Sequence, residues 1–192
     1  MKLNKMLSYC KKAKRIHIYS HENGIKYLSD GRTFMRLWNF SSIDSNNVME
    51  FIGVSEDAQD DYIICRDNYF PFETHINNTD PIQKIERVPM TIEFPEAMVP
   101  FKTSKGLLLI DSERLDIFEN PKIYDYYISS LMPPAVLVAY NDDVYGAVFP
   151  VRRDFEQLYT QLNSMANEAK KAYLNDFNNT GHQISIGELG VL

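Results

Sequence analysis

The chain is predicted to be an α+β protein, in which helices pack on an antiparallel sheet and a long helix follows near the C-terminus. Three observations support this fold class. Short runs of β-branched and aromatic residues alternate with turn sequences such as Asn23-Gly24, which is typical of hairpins. Apolar residues near the N-terminus recur at helical spacing, and a longer helical pattern runs from Val151 to Tyr173.

The N-terminal segment predicts a helix followed by a meander. Leu3, Met6, Leu7 and Cys10 lie at positions i, i+3, i+4 and i+7, so they form one apolar face, with lysines on the other side. Three short strands are expected next, with turns at Asn23-Gly24 and Asp30-Gly31; they cover residues 16–19, 25–28 and 33–38.

The middle of the chain is less regular. A short helix is expected within residues 41–53, a polar loop at 55–61, a strand at 62–65, an irregular surface loop at 67–81 and a strand at 88–94. Pro95 and Pro100 bracket a connecting segment, and we place the domain boundary there. The predicted domains are residues 1–95 and 96–178, which could also form a single domain, with a flexible tail at 179–192.

The second part predicts a strand at residues 107–110 and a partner strand at 114–118. Asn120-Pro121 has the composition of a helix start, with Asn as the N-cap and Pro at the first helical position, and the helix is expected to end before Pro133. A hairpin of strands 135–140 and 144–149 follows. The last helix is expected to bury an apolar stripe whose steps are near-heptad: Val151, Phe155, Leu158, Leu162, Met165, Ala169 and Tyr173.

The charge distribution suggests one local surface for nucleic acid. The net charge of −6 argues against a protein whose whole surface binds nucleic acid. Basic residues nevertheless cluster near the N-terminus, where they could contact phosphates without reading base sequence, or could simply solvate the outer helix face. The candidate nucleic-acid-binding residues are Lys5, Lys11, Lys12, Lys14 and Arg15.

The sequence has no catalytic signature. Phosphate-binding glycine loops, HExxH, CxxC and GxSxG patterns are absent. An acidic cluster could share a hard cation, but it lacks the spacing of an EF-hand loop; it consists of Glu56, Asp57, Asp60 and Asp61. We therefore expect no catalytic residue, no metal site and no cofactor. Without a long apolar run or a signal-peptide pattern, we expect no contact with a membrane and a cytoplasmic location.

The segment 105–153 resembles the last domain of a bacterial DNA sliding clamp. The predicted order is strand, helix and hairpin, and the segment closes with an apolar strand that leads into a proline, an apolar residue and an arginine. The helix and meander of the first half are compatible with the same repeated unit. The resemblance implies that a strand near the end lines a groove for partner peptides, and the matching residues are Val148, Phe149, Pro150, Val151 and Arg152. It also implies a ring with basic helices inside and acids outside. Clamp subunits are longer, however, and end soon after the arginine, whereas this chain continues into its last helix.

These patterns predict a non-enzymatic binding or assembly protein with a clamp-like fold, of the kind that serves as an accessory protein of a phage or mobile element. Its expected partners are the DNA backbone and a protein or a second copy bound through the C-terminal helix. One alternative is a metal-dependent hydrolase whose site is assembled from acidic residues. The other is a purely structural module that acts through the C-terminal helix.

Overall fold

The computed structural model shows that the first 151 residues are built around one large, mainly antiparallel sheet with a few helices. It describes residues 2–38, 40, 42–44, 46–77, 82–93, 95–118, 120, 122–129, 134–151 and 156–180. Within these residues the helices are α1 (Leu3–Ala13), α2 (Val48–Phe51), α3 (Ser112–Leu115) and α4 (Glu156–Thr180), and a 3₁₀ segment covers Glu56–Asp61. The fold class is therefore confirmed at the level of an antiparallel-dominated sheet with packed helices and a C-terminal helix.

Eleven strands make up the described sheet. They are β1 (Arg15–Ser20), β2 (Lys26–Ser29), β3 (Thr33–Leu37), β4 (Ile63–Tyr69), β5 (Gln83–Arg87), β6 (Ile92–Glu93), β7 (Ala97–Thr103), β8 (Gly106–Asp111), β9 (Asp125–Ile128), β10 (Val136–Tyr140) and β11 (Asp143–Val148). Their order is β4-β1-β2-β3-β11-β10-β9-β5-β7-β6, with β8 paired to β7. The β1–β4 pair is parallel, and the other described pairs are antiparallel.

The centre of the sheet joins two similar halves. Helix α1 precedes the meander β1-β2-β3, and helix α3 precedes the meander β9-β10-β11. The two meanders meet where β3 pairs with β11, with Phe34 opposite Ala147 and Met35 opposite Gly146. The two helices touch, because the Tyr9 hydroxyl donates to the Glu113 carbonyl at 3.0 Å. The sheet is thus a helix-and-meander unit used twice.

Two apolar clusters hold this sheet. The larger one includes the buried side chains of α1, which are Met6 and Cys10, and the buried side chain of α3, which is Leu115. The second cluster contains stacked rings from Tyr27 and Phe70, whose centroids are 3.6 Å apart. Most side chains of the central strands are therefore buried whichever way they point, so β10 has the burial pattern of a continuous apolar run.

Two predicted elements of the second part are wrong. Residues 120–131 were expected to form a helix, but Asp125–Ile128 is strand β9. Asn120 has a φ of 52°, which is not the extended conformation of an N-cap, and the following β-forming residues pair with β10 and β5. Residues 114–118 were expected to form a strand, but Ser112–Leu115 is a helix, because the Asp111 carboxylate caps it by accepting a hydrogen bond from the Glu113 N–H at 2.9 Å.

The middle of the chain contains more strand than predicted. The expected loop at 67–81 begins inside β4, which extends to Tyr69, and the expected strand at 88–94 is reduced to β6. Strand β5 was not predicted, and β7 runs through the expected connecting segment. Pro100 fits inside β7 because its backbone faces Val88, which lies just beyond the end of β5, so no ladder N–H is needed from the proline there. The Val88 N–H donates to the Pro100 carbonyl at 2.9 Å.

The chain forms two compact units, Met1–Val151 and Arg152–Leu192. The predicted boundary between residues 95 and 96 lies within the first unit. In the second unit, α4 has 25 residues and corresponds to about 37 Å of helix. Among the described residues, no helix combines the length and apolar character needed to cross a membrane.

Candidate functional site

The predicted basic residues in α1 and directly after it fall into two groups. Lys11, Lys12 and Arg15 are exposed. Lys5 instead lies 3.3 Å from an Asp116 carboxylate oxygen, and Lys14 lies 2.5 Å from Asp61. The basic surface is therefore narrower than the sequence suggests, because acids from distant segments reach the two ends of the helix.

A cleft of about 610 Å³ lies beside α1. Its charged lining mixes both signs and comes from four separate parts of the chain: Lys12, Arg15, Asp30, Arg32, Glu96, Asp111, Glu113 and Arg114. Sequence reasoning missed most of this cleft, since no local spacing links Asp30 with residues more than eighty positions away.

A buried ion pair lies in the lining of the cleft. Arg114 Nη1 lies 2.7 Å from Asp30 Oδ2, and the Asp30 side chain is only 1% exposed. The same guanidinium nitrogen donates to the Thr33 hydroxyl at 2.9 Å, and Asp30 Oδ1 accepts from the Arg32 and Thr33 N–H groups. Because these partners are all within the protein, the ion pair joins α3 to the β2–β3 turn and has a structural role.

Burial shifts the pKa values of three side chains of α1 and β1. Burial and the nearby Glu113 and Asp111 carboxylates raise the pKa of the Tyr9 phenol, so it stays protonated. Burial also raises the pKa of the Cys10 thiol, which keeps it from forming the reactive thiolate. Burial lowers the pKa of His17, which disfavours the protonated form of its ring.

The acidic cluster lies on the exposed 3₁₀ segment. Glu56, Asp57 and Asp60 are exposed, whereas Asp61 is paired with Lys14. In the part of the chain that the structure describes, no three His, Cys, Asp or Glu residues come together in a group that could hold a metal ion.

The residues matched to a peptide groove lie at the end of β11 and just beyond it. Val148 is fully buried, and Phe149, Pro150 and Val151 are half-buried. The Phe149 ring packs at 5.8 Å from Phe34, and the Val151 N–H donates to the Leu109 carbonyl. Arg152 lies outside the described residues.

A surface cluster of aromatic rings was also missed. Trp38, Tyr124, Tyr140 and Tyr145, which we call the aromatic cluster, have neighbouring ring centroids 5.1 to 6.4 Å apart. Trp38 is 37% exposed and Tyr140 is 41% exposed. Trp38 directly follows β3, Tyr140 and Tyr145 come from β10 and β11, and Tyr124 directly precedes β9, so only the folded sheet brings them together.

The Arg36 guanidinium lies against the aromatic cluster. Its central carbon is 3.9 Å from the centroid of the Trp38 ring, which is the geometry of a cation–π contact. Its Nη1 is buried and has no hydrogen-bond partner in the structure.

Comparisons with protein-family models, with curated proteins and with solved structures found no match to this chain.

Proposed function

We propose that this chain is a non-enzymatic binding and assembly protein with a domain resembling that of a DNA sliding clamp, which contacts the DNA backbone through α1. The observation that supports this most is the repeated helix-and-meander unit joined at β3 and β11. It corresponds to the repeated unit of one helix on an antiparallel sheet that the resemblance implies.

The placement of the helices is consistent with the proposal. The start of α1 meets the segment that follows α3, where the Lys2 N–H donates to the Ile117 carbonyl at 2.8 Å. Lys11 and Lys12 are exposed near the C-terminal end of α1. Lysines on a helix surface bind phosphates as point charges, which gives contact without base readout.

Replacing Lys11 and Lys12 by Gln should weaken binding to duplex DNA and flatten its dependence on salt. Each lost phosphate contact changes the slope of log K against log[salt] by about 0.9, so the slope should become less steep by about 1.8. Fluorescence anisotropy with a labelled duplex, starting at about 50 mM salt, measures this effect. Equal slopes for the variant and the wild type would exclude α1 as the contact surface.

The matched control carries the same charge change elsewhere. Lys102 and Lys105 are exposed on the β7–β8 hairpin. Their replacement by Gln should leave the salt slope unchanged.

A ring should also remain on closed circular DNA during size exclusion and slide off linear DNA of the same sequence. Equal retention on both forms would argue against a ring.

The exposed apolar residues of α4 favour a second candidate function, which is self-association. The near-heptad apolar spacing of the helix is that of a coiled coil, and its stripe was expected to be buried. Met165 of this stripe is nevertheless 65% exposed, and Leu174 is 49% exposed. A helix with this repeat is complementary to another copy of itself, so we propose a second copy of this chain as the partner.

Met165→Glu should shift a dimer toward monomer by at least about tenfold in dissociation constant, because it places a charge in the apolar seam. Sedimentation equilibrium of the full chain measures this constant. Ser164→Glu adds the same charge at an exposed neighbouring position outside the seam and should have little effect. A monomeric wild-type chain at high concentration would rule out self-association through α4.

A further inference from the structure

We propose that the cleft beside α1 binds a small phosphorylated amine, which is a molecule with a phosphate group at one end and a primary ammonium at the other. The cleft volume of about 610 Å³ lies within the roughly 300–1,000 Å³ that small-molecule sites occupy. This inference goes beyond the proposed function. Lys12 belongs both to the cleft and to the α1 surface assigned to DNA, so the tests use side chains that lie outside α1.

One part of the cleft lining is basic. This basic side consists of Lys12 near the end of α1, Arg15 at the start of β1 and Arg32 in the β2–β3 turn. A Cβ built on Gly31 would lie 3.1 Å from Arg15 Cδ and 3.3 Å from Arg15 Nη1, so the Arg15 side chain lies directly against that turn. The fold therefore holds Arg15 beside Arg32, the residue that follows Gly31.

Another part of the lining is acidic. This acidic side consists of Glu96 just before β7, Asp111 at the end of β8 and Glu113 in α3. The Asp111 carboxylate accepts from the Glu113 N–H at 2.9 Å. In the β7–β8 ladder Asp111 is opposite Met98, which closely follows Glu96. The cleft is thus dipolar, because its bases and its acids come from different elements.

The protein does not neutralise the basic side itself. Arg114 pairs with Asp30 at 2.7 Å, and its Nε lies 3.8 Å from Asp111. By contrast, none of the three side chains of the basic side forms a hydrogen bond or an ion pair with the described residues. Like charges held together repel one another, and an anion bound in the cleft would remove this repulsion.

A phosphate monoester matches the basic side. Its charge of about −1.5 to −2 at pH 7 exceeds that of a carboxylate or a DNA phosphate, which each carry a single charge. Arginine binds phosphate oxygens through its planar donor fork, and lysine adds a point charge. The acidic side would repel the next phosphates of a DNA strand, so the ligand must be small enough to end within the cleft.

A primary ammonium matches the acidic side, because it has three N–H donors and ionised carboxylates are acceptors only. The Tyr9 hydroxyl lies 3.4 Å from Glu113 Oε2 and uses part of the acceptor capacity of that carboxylate. An ionised carboxylate has about four lone-pair sites, so Glu113 can still accept from an ammonium. The Glu113 side chain is exposed, which leaves it accessible to a ligand.

Isothermal titration calorimetry of the full chain with aminoalkyl phosphates of increasing length, beginning with phosphoethanolamine, tests the proposal. The best member should bind at a single saturable site and at least about tenfold more tightly than inorganic phosphate, because only the aminoalkyl phosphate engages both sides. No saturable binding of any member up to about 10 mM would overturn the proposal. Equal affinity for inorganic phosphate and for the best member would also overturn it.

Two variants test the two sides separately. Arg32→Gln should weaken binding of the best aminoalkyl phosphate by about tenfold or more, since it removes a charged donor fork. Glu113→Gln should weaken binding of the same ligand and leave that of inorganic phosphate unchanged, because it removes only an acidic charge. Lys105→Gln is the matched control, since it removes one exposed positive charge from the β7–β8 turn, outside the cleft, and should bind like the wild type. Equal losses in Arg32→Gln and Lys105→Gln would contradict the proposal.

Duplex DNA distinguishes this site from the α1 surface. Arg32→Gln should keep the wild-type affinity for duplex DNA, and far-UV circular dichroism should show that every variant keeps the wild-type spectrum. A parallel loss of duplex binding in Arg32→Gln would overturn the assignment of the cleft to a small molecule. A chain that binds an aminoalkyl phosphate but no duplex would contradict only the proposed DNA contact, and a chain with the reverse behaviour would contradict only the inference about the cleft.

Discussion

Arg114→Met is expected to destabilise the protein by about 3–5 kcal/mol, because it leaves the Asp30 carboxylate charged and buried without its partner. The loss should appear as a lower urea midpoint followed by far-UV circular dichroism. The buried geometry of the pair makes this effect large, whereas the Lys14–Asp61 pair is exposed on both sides. Lys14→Met should therefore cost about 0–1 kcal/mol.

A double variant separates the charge from the lost packing. Asp30→Asn in the Arg114→Met background removes the uncompensated charge and keeps an oxygen that can accept from the Arg32 and Thr33 N–H groups. It should recover part of the lost stability, and the double-mutant cycle would give the coupling between the two residues. A urea midpoint of Arg114→Met equal to that of the wild type would show that the pair does not hold α3 to the β2–β3 turn.

Gly146→Ala is expected to destabilise the protein by about 1–3 kcal/mol or more, because no space exists for a methyl group at this position. A Cβ there would overlap the Phe34 carbonyl oxygen of β3 and would lie 2.6 Å from the Phe118 ring. The first of these neighbours is backbone in a paired strand, so it cannot move without disturbing the β3–β11 ladder. Denaturant unfolding followed by Trp38 fluorescence measures the loss.

Two further variants test the cause. Phe118→Leu combined with Gly146→Ala should recover little stability, because the Phe34 carbonyl still blocks the methyl group. Gly24→Ala has no neighbour within 4 Å of the added carbon, but it places alanine at a φ of +80°. It should cost about 1–2 kcal/mol from backbone strain alone. A stable Gly146→Ala protein would mean that β3 and β11 are farther apart than described.

The parts of the fold that the sequence predicts well are those with local signals. The α1 stripe, the Asn23-Gly24 hairpin and the β10–β11 hairpin each depend on neighbouring residues, and they are confirmed. Strand β9 was mistaken for a helix because Tyr126 and Tyr127 are both buried, one in each apolar cluster. A strand covered on both faces has no alternation to distinguish it from a helix.

The candidate sites show the same limit. The exposure of Lys11 and Lys12 could be predicted from sequence, because helical spacing turns them away from the apolar face of α1. The Arg114–Asp30 pair could not, because its partners meet only after the two halves join. The aromatic cluster was missed for the same reason: Tyr124 was assigned to a helix, and its neighbours Tyr140 and Tyr145 were assigned to a hairpin without a shared surface.

The pairing of β3 with β11 has a consequence for the order of folding. It joins residues near position 35 to residues near position 146, so the central ladder cannot close until almost the whole first unit has been synthesised. Such long-range pairing slows folding, since the entropy of closing the loop is lost before the contacts form. Until then β3 presents an unpaired hydrophobic edge. A nascent chain at this stage would be able to mispair with other nascent chains being translated from the same mRNA.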